Sequence, residues 1–168
     1  NRLEKLTGEI LQFSKPAPPR QLPMDWREIV DAACRLCSDQ ASRQGVAIVK
    51  RDTQREGTIF VDPEQIKQVL INILINAVQA QPNGGQITIE AGREQNSLVL
   101  SIRDKGPGMT REQLDRIFDP FFTTRREGTG LGLSISFQLV KNNGGRLWAT
   151  SEPGQGACFH ISFPATQG

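Results

Sequence analysis

An α/β (α+β) two-layer sandwich, with a mixed sheet of about five strands packed on three helices, is the fold class this sequence predicts. Three observations predict it. Three long stretches carry apolar residues at helical spacing, and several short runs alternate apolar with polar residues. The runs are joined by hairpin turns as well as by helices, so strict strand-helix alternation is absent. With 168 residues the chain is long enough for one proper core, with room for an appendage.

Asn1 to Ser14 (NRLEKLTGEILQFS) put Leu3, Leu6, Ile10 and Phe13 at helical spacing. That stripe is too short to bury itself and looks like the end of a longer helix. Lys15 to Pro23 hold four prolines in nine residues, which excludes helix and predicts a stiff linker. Asp25 then caps a helix from Trp26 to about Arg43, with Ile29, Val30, Ala33, Leu36 and Cys37 inward and Gly45 as the stop. Val46–Val49 and Thr58–Val61 are short strand candidates. Asp62 and Pro63 open the next helix, which runs to about Ala80. Pro82-Asn83-Gly84-Gly85 is a turn. Ile87, Ile89 and Ala91, then Leu98, Leu100 and Ile102, form a hairpin about Gln95-Asn96. Thr110 with Gln113 resembles a capping box for a short helix towards Ile117. A further helix runs from about Gly130 to Asn143 and stops at Gly144-Gly145. Arg146–Ser151 and Ala157–Phe163 are the closing strands.

The helix from Pro63 to Ala80 (PEQIKQVLINILINAVQA) stands out. Ile66, Val69, Leu70, Ile73, Leu74 and Ala77 share one broad face, leaving a polar sector of about 80°. Gln65, Gln68, Asn72, Asn76 and Gln79 fill that sector, where a solvated face would carry Lys and Glu. An amide oxygen suits a Mg²⁺ ion whose other ligands are phosphates and waters. The helix alone equally allows Asn72 and Asn76 simply to hydrogen-bond a neighbouring loop.

Three later stretches gather chemistry. Asp104-Lys105-Gly106-Pro107-Gly108-Met109 lets a loop approach a flat ligand, and Asp104 can accept from an exocyclic amine such as adenine's; a capped turn would leave the same trace. Ile117-Phe118-Asp119-Pro120-Phe121-Phe122-Thr123-Thr124 sets three phenylalanines beside a loop, able to pin a mobile segment. Arg125-Arg126-Glu127 offers cations or merely a solvated run. Gly128-Thr129-Gly130-Leu131-Gly132-Leu133 opens into a helix, whose free N–H groups and positive dipole end suit a phosphate. It is neither a P-loop nor a dinucleotide fingerprint.

A net charge of +2 with interspersed signs argues against a nucleic-acid surface. No apolar run approaches a membrane span and no signal-peptide pattern opens the sequence, so direct membrane contact is not expected of these residues. Cys34 and Cys37 form a C-x-x-C inside an amphipathic helix, without a second pair or a histidine cluster, and are expected to be buried small hydrophobes. A reducing, cytoplasmic location is expected, with a membrane anchor on the parent protein left open.

Together and in this order, the four motifs resemble those of the catalytic, ATP-binding domain of bacterial sensor histidine kinases, within the gyrase/chaperone/kinase/mismatch-repair superfamily. Gln68–Ala80 is similar to the N box, Asp104–Met109 to the G1 box, Ile117–Thr124 to the F box and Gly128–Leu133 to the G2 box. Gly154-Gln155-Gly156 resembles the weaker third glycine motif. The likeness covers residues 22 to 164, and the brief PFFTT lid resembles the short-lid, nitrogen-regulation-type subgroup. It implies a Bergerat-type fold over 23–168. Residues 1–16 resemble the end of the dimerisation and phosphoacceptor hairpin (Phe13-Ser14-Lys15-Pro16 being similar to its usual close), with a linker to about residue 22.

The resemblance further implies ATP and Mg²⁺ as cofactors. Asn76 would be the metal ligand and Asn72 would orient a water or phosphate. Asp104 would read the adenine amine, Gly106 and Gly108 would give clearance, and Met109 would line the base pocket. Phe118, Phe121 and Phe122 would anchor the lid, with Phe122, Thr123 and Thr124 beside the nucleotide. Gly128, Thr129, Gly130, Leu131, Gly132 and Leu133 would surround the phosphates. Arg125 (or Arg126) is the candidate cation at the γ-phosphate. Gln79 stands where some relatives carry a basic residue, so neutralisation must come from elsewhere. Ala157 lacks the hydroxyl that often helps hold the aspartate, and a water is expected in its place. The acceptor histidine belongs upstream of residue 1, because His160 lies in a strand pattern and is structural. The implied activity is transfer of the γ-phosphoryl group to a histidine on the protein's own dimerisation domain, in a homodimer, for relay to a response regulator. A serine kinase or ATPase of the same superfamily is the alternative, and a scaffold without nucleotide binding is a third.

Overall fold

The computed structural model describes residues 1–51 and 57–166. The chain runs α1 (Arg2–Ser14), β1 (Leu22–Asp25), α2 (Trp26–Gln44), β2 (Val46–Arg51), β3 (Thr58–Val61), α3 (Pro63–Gln79), β4 (Gly85–Glu94), β5 (Ser97–Arg103), α4 (Arg111–Leu114), α5 (Gly132–Asn142), β6 (Arg146–Ser151) and β7 (Ala157–Thr166). Seven strands are described rather than about five. The strand missed in the sequence is β1, placed there within the linker because it contains Pro23. Among the described residues it pairs only with β3, and an edge strand tolerates the missing N–H.

The sheet order is β1-β3-β7-β5-β4-β2, with β6 also paired to β7. The pair β2–β4 is parallel and every other pair antiparallel, which makes the sheet mixed as expected. Strand β7 is the hub. One edge takes β5 along residues 158–164, while β6 (through residue 162) and β3 (165–166) pair with it in succession.

Helices α2, α3 and α5 supply the second layer. Val69, Ile73, Leu74 and Val78 of α3 meet Ile87, Ile89 and Ile102 of the sheet and Leu139 and Val140 of α5, all almost fully buried. Each such side chain contributes about 1.5–3 kcal/mol relative to exposure. α3 packs against both α2 and α5, which explains its broad apolar face. Its start is fixed by Asp62, whose carboxylate accepts from the N–H groups of Glu64 and Gln65 and of Arg20 in the linker. α5 begins at Gly132, two residues later than expected, because the glycine-rich loop stays irregular through Leu131.

α1 lies against α5, with Leu6 and Phe13 partly buried and Leu3 and Leu11 exposed. Cys34 and Cys37 are free thiols. Burial pushes the Cys37 thiol up to about 11, so it behaves as a small hydrophobe. His160 bonds Ser101 Oγ and Thr150 Oγ1 and stacks on Trp148, and burial holds its pKa below the ordinary value. It is structural, as predicted. No helix among the described residues is long and apolar enough to cross a membrane.

Candidate functional site

The amide seam of α3 divides into two halves. Gln65 and Gln68 serve the N-terminal segment: Gln65 Nε2 donates to Ala17 O at 2.9 Å, and Gln68 Nε2 to Gln12 Oε1 at 3.1 Å. Gln65 Oε1 also accepts from Asn143, a buried side chain whose own oxygen takes the Asp62 N–H. For these two the plain structural reading holds. Asn72, Asn76 and Gln79 instead meet the glycine-opened helix and the lid, Asn72 at Ser136 of α5 and Asn76 and Gln79 at Arg125, and this junction is the candidate mouth.

At that junction α3 and α5 touch closely. Asn72 Nδ2 donates to Ser136 Oγ at 3.1 Å, and a Cβ at Gly132 would sit 2.7 Å from Asn72 Oδ1. The α5 N-cap is Leu131, which has no capping side chain, so the first-turn N–H groups keep their dipole end uncovered by any cap. The Thr129 hydroxyl donates to the Glu9 carboxylate of α1. The helix from the N-terminal segment thus reaches the glycine loop itself, a contact with no signal in the sequence.

Arg125 descends from the lid onto α3. Its Nη1 lies 3.0 Å from Asn76 Oδ1 and also bonds Gln79 Oε1, while Nη2 donates to Asn76 O at 2.8 Å. Three neutral oxygens therefore converge on one cation. The donor set fits a hard cation as readily as a guanidinium, which is the chemistry expected of an amide-lined Mg²⁺ position. Burial lowers the Arg125 pKa, opposed by the nearby Asp104 charge.

Asp104, 6% exposed, directly follows β5 and lies near enough to Arg125 for their charges to act on each other. Its Oδ1 accepts from Gly106 N–H at 2.8 Å and Ala157 N–H at 3.2 Å. The hold expected of a water at Ala157 is supplied, at this oxygen, by that residue's own backbone. Burial pushes the Asp104 carboxyl up, against the Gly106 and Ala157 N–H groups and the Arg125 charge. Gly108 has φ +71°, and a Cβ there would lie 2.1 Å from Glu152 O. Its bareness is demanded by the protein's own turn before any ligand is considered. Gln81 and Ser151, neither singled out in the sequence, bond the Lys105 and Met109 N–H groups.

The lid corrects one expectation. Phe118 packs tilted against Phe137 and edge-on to Phe159, and Phe122 lies under the Arg116 guanidinium, so both are held against the body. Phe121 does not: its ring is 60% exposed. At φ +66° its backbone turns so that its N–H reaches Gly130 O at 2.8 Å, which throws the ring outward. A Cβ at Gly130 (φ +74°) would strike the Phe121 backbone at 2.4 Å, so the lid is pinched at its neck. Thr123 Oγ1 accepts the Arg125 N–H, and Thr123, Thr124 and Arg126 are exposed.

Fold and mouth together define a class: a mixed α/β sandwich whose glycine-bordered site lies between an amide-seamed helix and a glycine-opened one. The chain belongs to the family of histidine kinase-, DNA gyrase B- and HSP90-like ATPases, whose description matches residues 61–167. It is 36% identical to sporulation kinase E of Bacillus subtilis (strain 168), over 99% of this chain and 23% of that protein. Full-length ShkA, solved in complex with AMPPNP, matches with a TM-score of 0.88 at 28% identity, over 99% of this chain and 36% of that one. ThkA in complex with the response regulator protein TrrA gives 0.84 at 28% identity, over 98% and 48%. The chain spans about a quarter to two fifths of the length of the first curated relatives it matches.

Proposed function

We propose that this chain is the ATP-binding kinase unit of a sensor histidine kinase. It would donate the γ-phosphoryl group of ATP to a histidine on its parent's dimerisation hairpin, for relay to a response regulator. The observation that carries this is the cation seat of Asn76 and Gln79 on the helix whose Asn72 meets the uncapped start of α5, with the buried Asp104 carboxylate near the same Arg125. The AMPPNP held by ShkA and the response regulator held by ThkA support the same reading.

In this reading Asp104 accepts from the adenine amine while Met109 lines the base pocket. Gly106 and Gly108 keep that edge low. Thr129–Leu133 offer backbone N–H groups to the phosphates, and Asn72 orients what lies between. Asn76 Oδ1 would hold Mg²⁺, which would supply charge neutralisation on the polyphosphate. Arg125, leaving its seat on Asn76, turns its charge to the γ-phosphate. The acceptor imidazole nitrogen forms the new N–P bond as the bond from γ-phosphorus to the bridging oxygen breaks and ADP departs. His160, bonded at both ring nitrogens, is not that acceptor.

The test mixes this chain with Mg·ATP and a separately produced hairpin of its parent protein. Acid-labile, base-stable phosphate on the hairpin is expected. Acid-stable phosphate would point to a hydroxyl acceptor, and calorimetry showing no ATP binding would refute the reading.

A further inference from the structure

Past the end of β5, Asp104 N–H still reaches Ala157 O of β7 at 2.9 Å, and beyond it the N–H groups of the loop Lys105–Met109 need acceptors of their own. Gly106 N–H turns inward to Asp104 Oδ1. The two remaining N–H bonds to side chains lie at opposite ends of the loop. Lys105 N–H reaches Gln81 Oε1 at 3.3 Å, and Met109 N–H reaches Ser151 Oγ at 2.9 Å.

Both acceptors are tied elsewhere. Gln81 is 3% exposed; its Oε1 also takes the Gln86 N–H at 2.9 Å and its Nε2 donates to Ala77 O at 3.1 Å. Ala77 follows Asn76, so one buried amide links the last turn of α3 to the loop that carries Asp104. A Cβ at Gly85 would meet Gln81 Oε1 at 2.1 Å, so the side chain is closely enclosed. Ser151 Oγ donates to Gly156 O at 2.7 Å, and Gly156 adjoins Ala157, whose N–H holds Asp104 Oδ1. The same turn binds the middle of the loop through Gly154 N–H to Pro107 O at 2.7 Å.

We propose that Gln81 and Ser151 are positioning residues for base selection: they fix the two ends of the Asp104–Met109 loop relative to α3 and to the closing turn, and so set where the Asp104 carboxylate meets the base. This rests on the reading of Asp104 as the adenine acceptor. Loss of either acceptor leaves a loop N–H unpaired and lets the loop shift, which costs discrimination between bases more than grip on phosphates.

The experiment measures ADP and GDP affinity by calorimetry on Gln81→Met, which keeps volume without an acceptor, on Ser151→Ala, and on Ser151→Thr, which restores a hydroxyl. Thermal melting runs alongside. The ratio of GDP to ADP dissociation constants is expected to fall roughly tenfold in Gln81→Met and Ser151→Ala, through weaker ADP binding, and to return in Ser151→Thr. Should Gln81→Met not fold, Ser151→Ala with its rescue decides. If both variants keep the wild-type ratio while Asp104→Ala collapses it, the positioning role is overturned and the adenine reading stands. If Asp104→Ala itself keeps the ratio, both fall together.

Discussion

The two sides of the mouth are built in opposite ways. The Asp104 side is a cage: a buried carboxylate held by two backbone N–H groups, on a loop bonded at both ends and in the middle. The lid side is a flap with exposed Thr123, Thr124 and Arg126, attached at its neck, by Phe122 and Thr129 and through the Arg125 guanidinium. A caged acceptor discriminates because it cannot adapt, and its ordering cost is met during folding. A flap with few buried contacts opens locally at little cost, which would suit the phosphate end of the proposed site.

Substitutions can break that contrast, here ordered by their effect on nucleotide affinity. Asp104→Ala is expected to abolish base recognition, weakening ADP binding by about 100-fold or more in calorimetry, since a site built around a buried polar partner rejects what cannot satisfy it. Asn76→Ala should weaken ATP binding roughly tenfold with Mg²⁺ present and little in excess chelator. Equal losses under both conditions would remove Asn76 as a metal ligand.

Acidification sharpens the same contrast. The folded-state pKa of Asp104 is raised, so its ionised form disappears on the way down from neutral pH before the ordinary value of 3.8 is reached. ADP affinity should therefore begin to fall above that value. The stability sign is the reverse. A raised folded pKa gives a contribution fully present below the unfolded pKa and lost as pH rises through the folded one. Asp104→Asn should thus melt higher than the wild type at neutral pH, with the gap closing towards pH 3.8. On the flap side, Arg125→Ala should change ADP affinity by less than about twofold and lower stability by about 1–2 kcal/mol, because the half-buried guanidinium loses its bonds to Asn76 and Gln79. Transfer to the acceptor hairpin should nonetheless fall about tenfold or more in a radiolabel assay.

Much of this was legible in the sequence because periodicity and glycine carry strong signals. The amide seam of α3 was visible as a missing set of charges, and its division into a structural and a functional half was not, since Gln65 and Gln79 look alike until their partners are known. Strand β1 was hidden by Pro23, whose tolerance depends on its place at the sheet edge. Gln81 and Ser151 were invisible for a different reason: a single polar residue after a helix or within a strand has no period, and its meaning comes from the loop it meets. Phe121 misled because aromatic residues ordinarily pack, whereas here the backbone conformation sends the ring to solvent.

The bridge from Phe121 N–H to Gly130 C=O gives the covering segment a separate existence. The polypeptide enters and leaves through one gate, so residues 122–129 run between fixed ends and meet the body at Phe122, Arg125 and Thr129. Doubling such an insert costs about 0.6 kcal/mol in closure entropy. A longer segment that keeps those three residues could therefore be spliced between the two backbones while the scaffold below stays unchanged.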